Sequence, residues 1–476
     1  MNIQELSALA QAYDVNQFRS IGHQFIEMMA SHLEKAEKGE GAKVIPYRSP
    51  EEEFSFWQHD FETNQRGSAM DLFQKVLDHS TYVHHPNCMG HQIAVPALTA
   101  SFAGMMSDIL ANGTGVFEMG MSSNGLERLI CEFMAKAIGF DEKAGGFMTS
   151  GGTLANLTSL LAARKAKSPT NVWDEGHAEK LAVMVSEEAH YCIDRAARIM
   201  GMGSEGIIKV PVDDQFKIRI DLLEEYYQRA FEKGQTVIAL IGCASSTATG
   251  SYDDLQALGQ FAQEKDLWYH VDGAHGGGVV FSEQYGYLGK GMEMADSVVI
   301  DFHKMLMSPA LTTALIFKRG ADAYKTFQQK AQYLWDSEQS LEWYNSGKRT
   351  FECTKLMMSI KVYSILRTHG SQVFRENIDL LYNKARRFAQ IVKDRTDFEL
   401  AIDPEANIIN YRYILCPEED RNALNTRIRQ QLVEEGDFYI VQTTINGKKY
   451  LRSSIMNPRT EEEHFVALLD RLASLA

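Results

Sequence analysis

The chain has 476 residues, enough for two or three domains and for a core that covers both faces of a sheet. Its 45% hydrophobic and 23% charged content is ordinary for a globular protein and argues against disorder or a fibre. A net charge of −15 leaves no electrostatic footprint for nucleic acid or an anionic membrane surface, and no window approaches the roughly 18 continuous apolar residues of a membrane span.

Residues 1–5 lack the basic start and apolar run of a secretion signal. The cysteines (Cys88, Cys131, Cys192, Cys243, Cys353 and Cys416) are scattered, with neither C-x-x-C nor metal-type spacing. Both features point to a reduced cytoplasm. Asp14 to Gln17 has capping-box spacing, and Phe18, Ile21, Phe25, Met28, Met29 and Leu33 recur at helical period, giving an opening helix whose apolar stripe needs a partner. Ser49-Pro50-Glu51-Glu52 starts a second helix, with Ser as cap and Pro at the first position.

From about residue 90 the pattern changes to short apolar runs separated by helical segments. Strands are expected at 146–149, 181–186, 207–212, 237–242, 268–272, 298–301 and 312–317. They are mostly unalternated, as in strands covered on both faces, with helices at 154–165, 191–200, 222–233 and 255–265 between several of them. This rhythm predicts an α/β domain with a mainly parallel seven-stranded sheet. After a helix at 374–394 come strands at 408–414, 438–443 and 450–453, the last two joined through Asn446-Gly447, and a closing helix at 461–475. The expected divisions are an N-terminal helical segment over 1–80, a large α/β domain over 81–370 and a small C-terminal α+β domain over 371–476.

Two of these runs end in chemistry. His270-Val271-Asp272-Gly273-Ala274-His275 closes one, and Asp301-Phe302-His303-Lys304 closes the next. A lysine and an aspartate at neighbouring strand ends are the two contacts that pyridoxal phosphate needs. The amine condenses with the cofactor aldehyde, and the carboxylate keeps the pyridine nitrogen protonated so that the ring can act as an electron sink. Thr149-Ser150-Gly151-Gly152-Thr153 passes from a strand into a helix, an arrangement of free amides, glycines and hydroxyls suited to a phosphate, although an ordinary capped turn has the same composition. His190 follows a third strand at the sheet edge where ligands of open α/β folds bind, and its imidazole suits stacking on a flat ring. Gly201-Met202-Gly203-Ser204-Glu205-Gly206 fits G-x-G-x-x-G but follows a helix and precedes a strand, the reverse of a dinucleotide fingerprint. The adjacent His84-His85 pair and His91 have no carboxylate or cysteine cluster near them in sequence, so no metal is expected.

At these residues the chain resembles the group II pyridoxal-phosphate amino-acid decarboxylases, the family of glutamate, aromatic-amino-acid and diaminobutyrate decarboxylases. The likeness runs from about His84 to the C-terminus through His85-Pro86, residues 149–156, His190-Tyr191, Ser245-Ser246-Thr247, residues 270–277, His303-Lys304, Gln332-Tyr333-Leu334 and Tyr450-Leu451-Arg452. The resemblance implies the aspartate aminotransferase-like fold type I and the release of CO2 from an L-amino acid. It further implies that Lys304 carries the cofactor, Asp272 pairs with the ring nitrogen, and His190 and Ala274 pack on the two ring faces. By the same likeness Ser150, Gly151 and Gly152 hold the phosphate, Thr247 lies near the cofactor, and His303 joins the phosphate or active-site network. Tyr333, 29 residues after Lys304, falls at the position of a mobile-loop tyrosine that protonates the substrate carbon, and Arg452 at that of an arginine binding the substrate α-carboxylate. An obligate homodimer with active sites at the subunit interface is implied, the N-terminal helices embracing the partner and the loop of Tyr333 closing over the other subunit's site. Departures at Asp301-Phe302, Ser245-Ser246 and His275 leave the cofactor chemistry intact and put the substrate in doubt; His91 and His275 would favour an acidic side chain. A decarboxylase of an aromatic or basic, diaminobutyrate-like amino acid, a transaminase or aldehyde-forming lyase, and a non-catalytic binding protein are the competing readings.

Overall fold

The computed structural model describes residues 7–40, 43–327 and 342–476. All seven expected strands form: β1 (Gly145–Thr149), β2 (Lys180–Ser186), β3 (Ile207–Val210), β4 (Gln235–Cys243), β5 (Trp268–Asp272), β6 (Ser297–Asp301) and β7 (Thr313–Phe317). They lie in one sheet in the order β1-β7-β6-β5-β4-β2-β3. Neighbours from β3 to β6 pair in parallel, whereas β7 runs antiparallel to both β6 and β1. The reversal follows from connection length. Parallel neighbours need a crossover of a dozen or more residues, usually helical, but residues 302–312 return from β6 to β7 directly. Lys304 lies in that return.

Every residue of β5, β6 and β7 is buried, which accounts for their unalternated apolar sequence. Phe147, Val183, Val185, Ile241, Trp268, Val299 and Leu315 pack with Ala155, Leu160 and Ala163 of the Gly152–Lys167 helix and with Ile193 and Ala197 of the Tyr191–Ile199 helix. The ends of these strands are therefore the places where ionisable groups reach water or a ligand.

A second sheet has the order β10-β11-β9-β8, with β8 at Phe398–Leu400, β9 at Ile408–Tyr413, β10 at Val441–Ile445 and β11 at Lys448–Ser454. Asn446 and Gly447 both take positive φ, 50° and 75°, as a two-residue hairpin turn requires. The turn places β10 later than the expected 438–443, because Ile445 and Lys448 must pair directly across it. The opening helix, Val15–Glu37, is capped by Asp14, and the Pro50–Thr63 helix has the full Ser49–Glu52 capping box. The chain divides into two compact units. One comprises Met1–His91, Gln390–Ala401 and Asn410–Ala476; the other comprises Gln92–Ala389 and Ile402–Ile409 and holds the seven-stranded sheet. No described helix is long and apolar enough to cross a membrane.

Candidate active site

The carboxyl ends of β1, β2, β4, β5 and β6 deliver Ser150, His190, Thr247, Asp272 and Lys304 to one edge of the sheet. Lys304 Nζ lies 3.2 Å from Asp301 Oδ2, and His303 Nε2 lies 3.7 Å from the same oxygen. Thr313 Oγ1 donates to the other carboxylate oxygen at 2.5 Å. Asp301 thus gathers a lysine, a histidine and a hydroxyl around a carboxylate that is only 3% exposed.

Residues 150–151 lead directly from β1 into the Gly152–Lys167 helix, the strand-to-helix turn that the sequence suggested. Gly151 adopts φ 120° and ψ 157°, a conformation open in practice only to glycine, and caps the Gly152–Lys167 helix. A methyl group on Gly152 would sit 3.3 Å from Ala274 Cβ and from both Asp301 oxygens, so the missing side chain allows three elements to converge. Ser150 Oγ donates to Glu352 Oε1 at 2.6 Å. Below the turn, the buried Lys355 ammonium donates to the Met148 carbonyl and to Glu127 Oε2, both at 2.5 Å, which braces the end of β1.

His190 caps its own helix, with Nδ1 accepting from the Cys192 amide at 3.3 Å. Burial pushes its pKa down; the negative charge of Asp272 opposes this and the Lys304 ammonium reinforces it. The ring is therefore neutral, carries its proton on Nε2 and stands within the field of both groups. Asp272 accepts from the Ala274 amide at 3.1 Å and from Asn156 Nδ2 at 3.2 Å. The turn beyond it is clamped to the end of β4, with the Ala244 amide donating to the Asp272 carbonyl and the Gly276 amide to the Ala244 carbonyl, each at 2.9 Å. Thr247 lies in the turn after β4, where Ser246 and Thr249 share a 2.6 Å hydroxyl contact.

The larger unit therefore brings together Ser150, Gly151, Gly152, His190, Asp272, Ala274, His303 and Lys304. His275 is buried in the same unit, its Nε2 2.7 Å from Asn407 Oδ1. His91 and Arg452 belong to the other unit, where His91 lies 5.8 Å, ring to ring, from Tyr439. Burial lowers the His91 pKa, and the positive charges of Arg452 and Arg429 lower it further. Tyr333 lies outside the described residues. Sequence reasoning missed Asn156, His270 and Asp301 as members of the site. Their signal was geometric: Asn156 and Ser159 share a helix face, as His270 and Asp272 share a strand face.

A sheet-edge lysine, an acceptor carboxylate, a neutral imidazole and a glycine turn at a helix start form the donor set of an enzyme with the pyridoxal-phosphate-dependent transferase fold. The pyridoxal-dependent decarboxylase conserved domain matches residues 69–414, and the chain belongs to that family. An aromatic-L-amino-acid decarboxylase of Bacillus atrophaeus is 25% identical over 97% of this chain and 95% of its own. An aspartate 1-decarboxylase of Aliivibrio fischeri is 29% identical over 76% of this chain and 70% of its own. The crystal structure of Oryza sativa TDC with PLP and tryptamine aligns with a TM-score of 0.88 at 18% identity, covering 97% of this chain and 98% of that one. The protein is thus a pyridoxal-phosphate-dependent amino-acid decarboxylase, a carboxy-lyase. Gly151→Ala is expected to cost about 1–3 kcal/mol through strain at the cradle and to speed cofactor loss on dilution, read as decay of the visible absorbance of the holoenzyme.

Proposed function

We propose that this decarboxylase acts on an L-amino acid with an acidic side chain and works as a homodimer. What supports the substrate reading is that the positive charges of Arg452 and Arg429 reach the His91 imidazole, lowering its pKa beyond the effect of burial. A set of this kind suits carboxylates. Arg452, 8% exposed on β11, is proposed to bind the α-carboxylate, while His91 and His275 favour a second anionic group.

In the proposed mechanism Lys304 would hold the cofactor; its Nζ must be neutral to do so, and Asp301 Oδ2 at 3.2 Å is placed to accept the proton. Ser150 and the amides at the start of the Gly152–Lys167 helix hold the phosphate. His190 would present a neutral ring face to the cofactor, and Asp272 would accept a hydrogen bond from its protonated ring nitrogen. The bound cofactor supplies the electron sink for the pair left at Cα when CO2 departs. Tyr333 Oη then delivers one proton to that carbon, and the product leaves as the amine.

The dimer reading is supported by an apolar surface in the larger unit. Phe102, Met106 and Ile109 on the Leu98–Leu110 helix, with Met119 and Met121 on the Phe117–Ile138 helix, are each at least 51% exposed. Exposed apolar side chains of this size are of the kind that a partner covers.

With aspartate, glutamate, cysteine sulfinate, phenylalanine, tryptophan and 2,4-diaminobutyrate as substrates, CO2 release is expected to give the highest kcat/KM on an acidic member; a higher value on an aromatic or basic one overturns the substrate reading. Tyr333→Phe is expected to lower amine formation by about 10²–10⁴-fold, the range for loss of a general acid, with aldehyde rising among the products by chromatography. Unchanged amine yield removes Tyr333 from the mechanism. Sedimentation is expected to give the mass of two chains, and Met106→Glu with Ile109→Glu to shift it toward one.

A further inference from the structure

A line of buried polar side chains runs beneath Asp272, and none of the roles above uses it. Trp268, His270 and Asp272 alternate along β5 and so share one face. Asn156 and Ser159 come from the Gly152–Lys167 helix packed on that face, and Ser297 opens β6 opposite His270. Of these residues, Asn156, Ser159, His270, Ser297 and Trp268 are all 0–1% exposed. Apolar side chains would fill this space at lower cost, because each buried polar group must find a partner.

The Asp272 carboxylate sets the direction of the partners above His270 Nδ1, a nitrogen that also has the Ser297 carbonyl 3.1 Å away. Asp272 Oδ2 lies 3.2 Å from the Asn156 side chain, and a carboxylate needs a donor there, so Nδ2 faces it. The second Nδ2 hydrogen points to Cys192 Sγ at 3.4 Å. Burial raises the pKa of that thiol, keeping the sulfur neutral. Asn156 Oδ1 then faces His270 Nε2 at 2.7 Å, so Nε2 carries the proton. Burial also pushes His270 down to about 4 against the opposing charge of Asp272, leaving a neutral ring whose Nδ1 must accept. The hydroxyls of Ser159 and Ser297 both lie 2.9 Å from Nδ1. At the foot, Trp268 Nε1 donates to Ser297 Oγ at 2.9 Å, and an indole N–H can only donate.

We propose that Asn156 and His270 are positioning residues that hold the Asp272 carboxylate in one orientation, as an acceptor, for the protonated ring nitrogen of the cofactor. His270 sets the amide orientation of Asn156, and Asn156 sets the carboxylate. The inference rests on the assignment of Asp272 to the ring nitrogen, so its test treats that assignment separately.

The test titrates apoprotein with pyridoxal phosphate and with its 1-deaza analogue, which has C–H in place of the ring nitrogen, and follows quenching of protein fluorescence. Asp272→Asn is the reference and should weaken pyridoxal phosphate far more than the analogue. If it weakens both equally, the assignment of Asp272 falls and the proposal falls with it. Given that reference, Asn156→Leu and His270→Leu should each weaken pyridoxal phosphate by about tenfold to a hundredfold, the range for losing a hydrogen bond to a charged group, and leave the analogue within about twofold. His270→Gln, which keeps an N–H at the Nε2 position, should restore most of the loss, and this variant also serves if a leucine variant fails to fold. Equal weakening of both ligands in the variants, or no rescue by Gln, would make the line a merely structural element and overturn the proposal.

Discussion

A strand buried on both faces cannot hold an unpaired charge along its length, and this constraint places the chemistry of the protein. β5 and β6 have no exposed residue, so Asp272 and Asp301 stand at their last positions, and Lys304 follows three residues later in the return to β7. Each charge is paired at once. Lys304 meets Asp301 at 3.2 Å, and Asp272 takes donors from Ala274 and Asn156. Moving Asp301 two residues toward the middle of its strand would bury its charge at the place of Val299, which is 0% exposed in the apolar core.

The glycines at the edge complete what the strands begin. Gly152 lets a helix start approach Ala274 and Asp301, and Gly276 brings the turn after β5 to where a methyl group would be 2.7 Å from the Ser245 amide. Convergence of three strand ends within so small a volume is a backbone property. It explains how a lysine, two carboxylates and an imidazole influence one another although they are separated by more than a hundred residues in sequence, from His190 to Lys304.

Much of this was legible in the chain. Unalternated apolar runs located the seven strands, and Asp272, Lys304, His190 and the Ser150–Gly152 turn were recognisable because each follows such a run with a chemically distinctive residue. The reversal of β7 was less visible, since it depends on the shortness of the 302–312 return and not on the composition of the strand. Asn156, His270 and Asp301 escaped for a different reason. Asn156 reads as one more polar residue in a helix and His270 as part of a strand, and only the packing of helix on sheet puts the amide between the imidazole and the carboxylate. The place of β10 depended on the Asn446-Gly447 turn, whose two-residue length fixes the pairing that the apolar pattern alone leaves open by several residues.

The line of donors from Trp268 to Asp272 also has a consequence for how protons move. It ends at an indole 1% exposed, a group that gives a hydrogen bond and cannot receive one, so Trp268 offers no proton relay at that end of the line. Asp272 is electrically supported from below and chemically insulated there. Any proton it exchanges must come and go away from this line, on the side where the proposed cofactor ring would lie.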